Sequence, residues 1–275
     1  HPMSHYKEAH RAGKSYEHSE TLYQILSRRI IDRNFFPSVF RAGCVTERPD
    51  ANWFLEQWIP FDCSNFAVEN ENKEQYRDQR NGQAGDWRRA PSDWRIYHPD
   101  FYDYQKEGGC HRSIGRFLNI VSRYGNITSY EIEKAFQRAN EGLPTLLGIF
   151  NHDFRNMGNE IEYFCDLLYD ISRKYNNVSF KFATAKEAFN AVLQNKLSEF
   201  DLNVRLKGNE LYVDTIKGCV FGPQPYLAIK TKSGKYIHDN FDFGLDGKSW
   251  SYVFDENMIK FEDVDTIGVA EIGRA

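Results

Sequence analysis

Thr128-Ser-Tyr-Glu131-Ile132-Glu-Lys-Ala135-Phe136-Gln-Arg-Ala139-Asn-Glu-Gly142-Leu-Pro144-Thr145-Leu-Leu-Gly-Ile-Phe150-Asn151-His152-Asp153 is the stretch that decides the fold. Thr128 and Glu131 stand at capping-box spacing ahead of Ile132, Ala135, Phe136 and Ala139, which recur at helical intervals. Gly142 and Pro144 close that helix. The apolar run from Thr145 to Phe150 then reads as a buried strand whose C-terminal end delivers Asn151-His152-Asp153.

The same alternation extends both ways. Downstream, Ile161, Phe164, Cys165, Leu168 and Ile171 share a helix face, Val178 to Phe182 reads as a strand, and Thr184 with Glu187 opens a further helix through Phe189, Val192 and Leu193. Upstream, Leu22, Ile25, Leu26 and Ile30 define a helix from Ser19 to about Ile31. A strand over Phe35 to Phe40 ends at Arg41-Ala42-Gly43. A short helix follows Asp50 through Trp53, Phe54 and Trp58, and a strand over Ile59 to Phe61 ends at Asp62-Cys63-Ser64. Repeated strand and helix units predict α/β architecture, most simply an irregular parallel (β/α) barrel.

Beyond Glu199 the pattern changes to short alternating runs separated by Gly208-Asn209, Ser233-Gly234 and Asp246-Gly247. These predict a small antiparallel β-sandwich. The expected organisation is a barrel over 1–198 with an insertion at 68–110, then a sandwich over 199–275. The insertion is polar, lacks periodicity and carries Trp87, Trp94 and Tyr97. It reads as an aromatic lid, with those three residues as candidates to stack on a substrate.

Composition narrows the function classes. The 275 residues are 41% apolar and 27% charged, a globular balance, and no apolar run approaches the ~18 residues of a membrane span. A net charge of -4 gives no electrostatic case for a nucleic-acid partner. Five dispersed cysteines without CxxC spacing argue against a disulfide framework and lean toward a reducing compartment such as the cytoplasm. Aromatic residues reach 15%, which suits stacking on sugar rings and large cores alike.

Three polar groups fall at predicted strand ends: Arg41, Asp62 and His152. In parallel α/β folds those ends form the active face, so an Arg, an Asp and a His meeting there make a hydrolytic set. His1 and His5, at i and i+4, can share a metal ion but need a third ligand from elsewhere. His238-Asp239 reads as a surface pair on the β tail.

Taken in order, His1-Pro-Met-Ser-His5, Phe40-Arg41-Ala42-Gly43, Asp62-Cys63-Ser64 and Ile149-Phe150-Asn151-His152 resemble the motifs of polysaccharide deacetylases over roughly His1 to Leu197. The resemblance implies a barrel that removes acetyl groups from an N-acetylated sugar. It implies His1 and His5 as ligands of a divalent metal, zinc first, Arg41 as the group that orients a catalytic carboxylate, and His152 as the acid that protonates the leaving amine. Asp62 departs from the pattern, being followed by Cys63-Ser64 rather than an aromatic residue. The family's paired aspartates precede its His pair, so the 275 residues are expected to be a piece of a longer protein, inactive alone. The rival reading is a non-catalytic carbohydrate-binding or scaffolding protein on a degenerate barrel. A glycoside hydrolase would instead need two carboxylates about 5 to 10 Å apart at the mouth.

Overall fold

A computed structural model describes residues 15–69, 85–121, 126–152, 155–194 and 200–274. The chain is mixed α/β, with a curled four-stranded parallel sheet and separate antiparallel sheets. It divides into two compact units, one of residues 39–52 and 61–195, the other of residues 15–38, 53–60 and 196–275.

The parallel sheet comprises β1 (Val39–Phe40), β2 (Phe61–Asn65), β3 (Ser113–Asn119) and β4 (Gly148–Phe150), in that order across the sheet. Register sets Phe40 beside Asp62, Asp62 beside Ile114, and Asn119 beside Phe150. All four strands run the same way, so Arg41, Asn65, Asn119 and Asn151 follow or close them on one edge. Of the irregular parallel (β/α) barrel expected from the sequence, the described strands form a curled parallel sheet, a half-barrel.

The strand β3 had no counterpart in the sequence reading. Every one of its residues is buried, Arg116 included, so no alternation marks it. The segment 178–182, expected as a strand, lies outside any helix or sheet.

Helices of this unit are α3 (Ser129–Asn140), α4 (Gly158–Ser172) and α5 (Ala185–Val192). The capping box at Thr184 and Glu187 is complete. That at Thr128 is half made: Thr128 accepts from the Glu131 backbone N–H, while the Glu131 carboxylate turns inward to Arg116. Gly142 follows α3 at φ +76°, the left-handed conformation that the sequence reserved for it. The core beneath the sheet joins Phe66, Trp87, Trp94, Tyr97, Ile114 and Leu118 to Ile132, Phe136, Phe164 and Leu168.

The second unit contains α1 (Glu20–Arg33) and nine strands: β5 (Asp201–Lys207), β6 (Glu210–Lys217), β7 (Cys219–Val220), β8 (Tyr226–Thr231), β9 (Tyr236–Asp239), β10 (Asp242–Phe243), β11 (Ser249–Val253), β12 (Val264–Ala270) and β13 (Gly273–Arg274). A sheet ordered β10-β11-β6-β5 and a sheet ordered β12-β8-β9 are both antiparallel. Leu211, Val213 and Trp250 of the first meet Leu227 and Ile229 of the second in a common core. The sequence placed α1 in the barrel domain; by compactness it belongs here, packed on β8, β9 and β12. Its helix α2 (Pro49–Trp58) begins in the first unit and ends in the second.

The neighbours β3 and β4 press together at Gly148, where a Cβ would come within 2.2 Å of the Arg116 carbonyl oxygen. Gly148→Ala must therefore shift β4, the strand that carries Asn151 and His152. Overpacking of this kind costs about 1–3 kcal/mol. A chemical-denaturation midpoint lowered accordingly is the expected result, and an unchanged one would show that β4 moves freely.

Candidate active site

Two buried arginines and one half-buried one carry the charge chemistry of the parallel-sheet unit. Arg116 donates through Nε to the Ala67 carbonyl at 2.6 Å and through both terminal nitrogens to the Glu131 carboxylate at 2.6 and 2.8 Å, with its guanidinium 4.3 Å from the Trp94 ring centroid. Arg112 donates through Nε to Asn52 at 2.6 Å, through Nη1 to Asp62 at 2.8 Å and through Nη2 to Glu47. Both are saturated, as buried charges must be.

Arg41 is different. It follows β1, its guanidinium carbon lies 3.3 Å from the Phe150 ring centroid, and its buried Nε has no hydrogen-bond partner. Among the described residues it forms no ion pair. Burial pulls its pKa down to about 10, against the opposing pull of Cys63, Asp62 and Cys44. A desolvated guanidinium resting on an aromatic face, with a donor unused, is ready for an anion.

The loop behind it is strained. Cys44 and Val45 hold φ of 52° and 48°, a conformation that a β-branched residue rarely adopts. It persists because Trp87 Nε1 donates to the Val45 carbonyl at 2.7 Å and Gly85 N to the Cys44 carbonyl at 3.0 Å. Ser64 Oγ accepts from the Ala42 N–H at 2.8 Å, tying the end of β1 to β2. Strain of this sort costs of order 1–3 kcal/mol per residue and collects at functional sites.

His152 lies on the same edge, two residues beyond β4. It is exposed, its backbone N–H is held by Asn151 Oδ1 at 2.8 Å, and its ring stands 6.1 Å from that of Phe150 at 72°. Arg41 and His152 thus flank one phenylalanine. Asn151 and Arg155 both bond to Glu160, and hold its carboxyl below the usual range, which anchors the turn at the start of α4.

Asp62 is on the same part of the sheet but is spoken for. It is 1% exposed and accepts from the Ser64 N–H at 2.7 Å as well as from Arg112. The sequence expected a catalytic Asp62; the structure places it inside a buried hydrogen-bonded network with Arg112 and Ser64. Cys63 beside it is a buried thiol whose pKa is driven up by burial.

The three candidates for substrate stacking are also corrected. Trp87, Trp94 and Tyr97 are 0%, 0% and 2% exposed, and their polar atoms are used within the fold: Trp94 Nε1 donates to the Glu131 carbonyl at 2.8 Å and the Tyr97 hydroxyl to the Tyr104 carbonyl at 2.7 Å. They are core, not lid. His1 and His5 lie outside the described residues. Among the described residues no three His, Cys, Asp or Glu side chains group to hold a metal ion. None of the helices among them is long and apolar enough to cross a membrane.

Sequence reasoning missed Phe150 as the platform and Glu47, Asn52 and Arg112 as the buried network. It also misread His238, which in the second unit is stacked between Tyr226 at 4.1 Å and Tyr23 at 4.8 Å, with burial lowering its pKa to about 4.

Burial, reinforced by Asp62 and opposed by Arg112, raises the Glu47 carboxyl well above its usual range. That direction favours the protonated carboxyl beside the Arg112–Asp62 pair. A carboxyl whose folded pKa is raised stabilises fully below its unfolded value of about 4.3, and that contribution is lost as pH rises toward the folded value. Glu47→Gln keeps the oxygen that Arg112 uses, so the variant should match the parent at pH 4 and lose less stability by pH 8. Glu47→Ala takes the acceptor from Arg112 Nη2 and should cost about 1–3 kcal/mol at both. Denaturation curves at the two pH values check this, and identical pH slopes for parent and Glu47→Gln would show a charged Glu47.

Compared with known proteins, the chain matches no family model, no curated protein and no solved structure.

Proposed function

We propose that the protein is a hydrolase of the polysaccharide-deacetylase type, removing acetyl groups from an N-acetylated sugar at the C-terminal edge of its parallel sheet. The observation that carries this reading is Arg41: a half-buried arginine whose buried Nε has no acceptor, seated on Phe150 and flanked by His152. In the motifs that the sequence resembles, the arginine orients a catalytic carboxylate and the histidine is the acid. Support comes from the pairing of those two roles around one ring. Arg41 holds a carboxylate in one orientation by charge-assisted hydrogen bonding, and Phe150 shields the guanidinium from water on one face. His152, exposed at the edge, passes a proton to the departing amine nitrogen. A finer assignment, the deacetylase barrel itself, belongs to this proposal.

The divalent metal implied by the resemblance is not built by the described residues, which offer no three-ligand group. No step is assigned to it. The second reading, a non-catalytic carbohydrate-binding protein, is favoured by one observation: the Asp62 carboxylate is consumed by Arg112 and the Ser64 N–H, so it is not a base for water.

The test is acetate release from N-acetylglucosamine oligomers by the natural full-length protein, assayed with zinc, cobalt and nickel. His152→Ala should lower kcat by about 10²–10⁴-fold, the range of a lost general acid, without altering the melting temperature. Arg41→Lys should fall too, because an ammonium cannot supply the planar fork. Oligomer binding without acetate release would establish the non-catalytic reading, and full activity in His152→Ala would remove His152 from the chemistry.

A further inference from the structure

In the second unit β5 ends the sheet ordered β10-β11-β6-β5, and no described strand pairs with its outer side. It reads Asp201-Leu202-Asn203-Val204-Arg205-Leu206-Lys207. Register puts Val204 opposite Val213 and Leu206 opposite Leu211, so all four lie on the core-facing side of the sheet. Val213 and Leu211 are 0% and 2% exposed, whereas Val204 and Leu206 are 46% and 48% exposed. The apolar face of the sheet therefore runs past what covers it and ends in the open at β5.

The backbone of β5 is open in the same direction. Thr215 of β6 donates its N–H to the Lys248 carbonyl at 2.9 Å, on the β11 side, so Leu211, Val213 and Thr215 turn their peptide groups to β11 while Glu210, Tyr212 and Asp214 turn theirs to β5. The residues opposite those last three are Lys207, Arg205 and Asn203. Leu202, Val204 and Leu206 are left with N–H and C=O groups directed away from the sheet. Natural edges are blunted by proline, a bulge or an inward-pointing charge. The strand β5 carries none of these: its core-facing positions are apolar, and the register slip between Asp201 and Leu202 falls on β6, where Ile216 is the extra residue.

The charges on β5 select its partner. Laid antiparallel on a second copy about Val204, the strand sets Leu202 opposite Leu206 of the second copy, Asn203 opposite Arg205, and Asp201 opposite Lys207, with each opposite-charge pair occurring twice by symmetry. In that register Val204 faces its own equivalent, and the three outward-directed residues of each copy meet one another, as an antiparallel ladder requires. Laid parallel and in register, the strand would instead set Asp201, Arg205 and Lys207 against their own like charges. We propose that the protein forms a two-fold dimer through antiparallel pairing of β5 with β5, which joins two four-stranded sheets into one of eight strands and brings the exposed Val204 and Leu206 of both copies into one apolar strip. A seam of one strand per copy is smaller than the standard interface of about 1,600 Å², so the dimer is a micromolar one.

The test is sedimentation velocity of the full chain at low salt over about 1–200 μM, a range that brackets a micromolar dissociation constant. The mass should rise from monomer to dimer, and Val204→Lys should stay monomeric throughout with its melting temperature kept, since the position is exposed. Asp201→Lys and Lys207→Asp should each weaken the dimer about tenfold, and the double reversal Asp201→Lys/Lys207→Asp should restore it, because the two positions face each other only across the seam. Hydrogen exchange gives a readout that needs no variant: amide protection at Leu202, Val204 and Leu206 should grow with protein concentration, while Asn203 and Arg205, already bonded to β6, should not change. A chain that is monomeric at every concentration, a dimer that survives Val204→Lys, or a double reversal as weak as the single ones would overturn the proposal.

Discussion

A guanidinium buried inside a sheet must bring acceptors to its nitrogens and a counter-charge with it, and the parallel-sheet unit is built around that constraint. Arg112 precedes β3 and draws together Asn52 at the start of α2, Glu47 in the loop after β1, and Asp62 on β2. Four segments distant in sequence are thereby fixed at one point. An ion pair of this kind adds little net stability against an apolar alternative, because desolvation consumes the Coulomb gain, but removing one partner strands a charge. Its service is specificity of arrangement. With Asp62 held in place, Ser64 can accept from Ala42 and set the direction in which the chain leaves β1 toward Arg41.

Elements with surface periodicity were legible in the sequence, and those defined by the interior were not. Helices α1 to α5 each present one apolar stripe and were found near their observed bounds. The strand β3 has no stripe. Its residues are buried on both faces, and Arg112 and Arg116 at and before it look polar until the acceptors that neutralise them are known. The same blindness turned Trp87, Trp94 and Tyr97 into a lid. An aromatic residue in a polar, aperiodic stretch reads as exposed, yet Trp87 pins a strained loop and Trp94 lies against Arg116. Glu131 marks the boundary of local reasoning: its spacing from Thr128 is that of a capping box, and a long-range partner outbids the local one.

The candidate site was legible in part. Arg41 and His152 stood out because polar residues at the ends of apolar runs are conspicuous, and the parallel register brings both to one edge. Phe150, the ring that joins them, could not be told from an ordinary core residue. The surroundings of His238 escaped for another reason. Tyr23 and Trp58 precede the β tail by more than 140 positions, and no pattern within the tail announces that α1 lies on β8 and β9. His238 then looks like half of a surface pair, although two tyrosine rings enclose it.

The contrast among the three arginines gives the reading of the site its physical content. Arg112 and Arg116 show what this sequence does with a buried guanidinium that serves the fold: each of its three nitrogens has a partner, and a carboxylate supplies the counter-charge. Arg41 sits in the same sheet and meets neither condition among the described residues. Stability selection alone would pair it or replace it, since an unpaired, desolvated charge and the backbone strain of Cys44 and Val45 both oppose folding. Under the proposed function, their persistence together, beside an exposed histidine at the strand ends, reflects an anion that Arg41 binds. A fold that saturates two arginines and leaves the third wanting has placed the cost where a ligand can repay it.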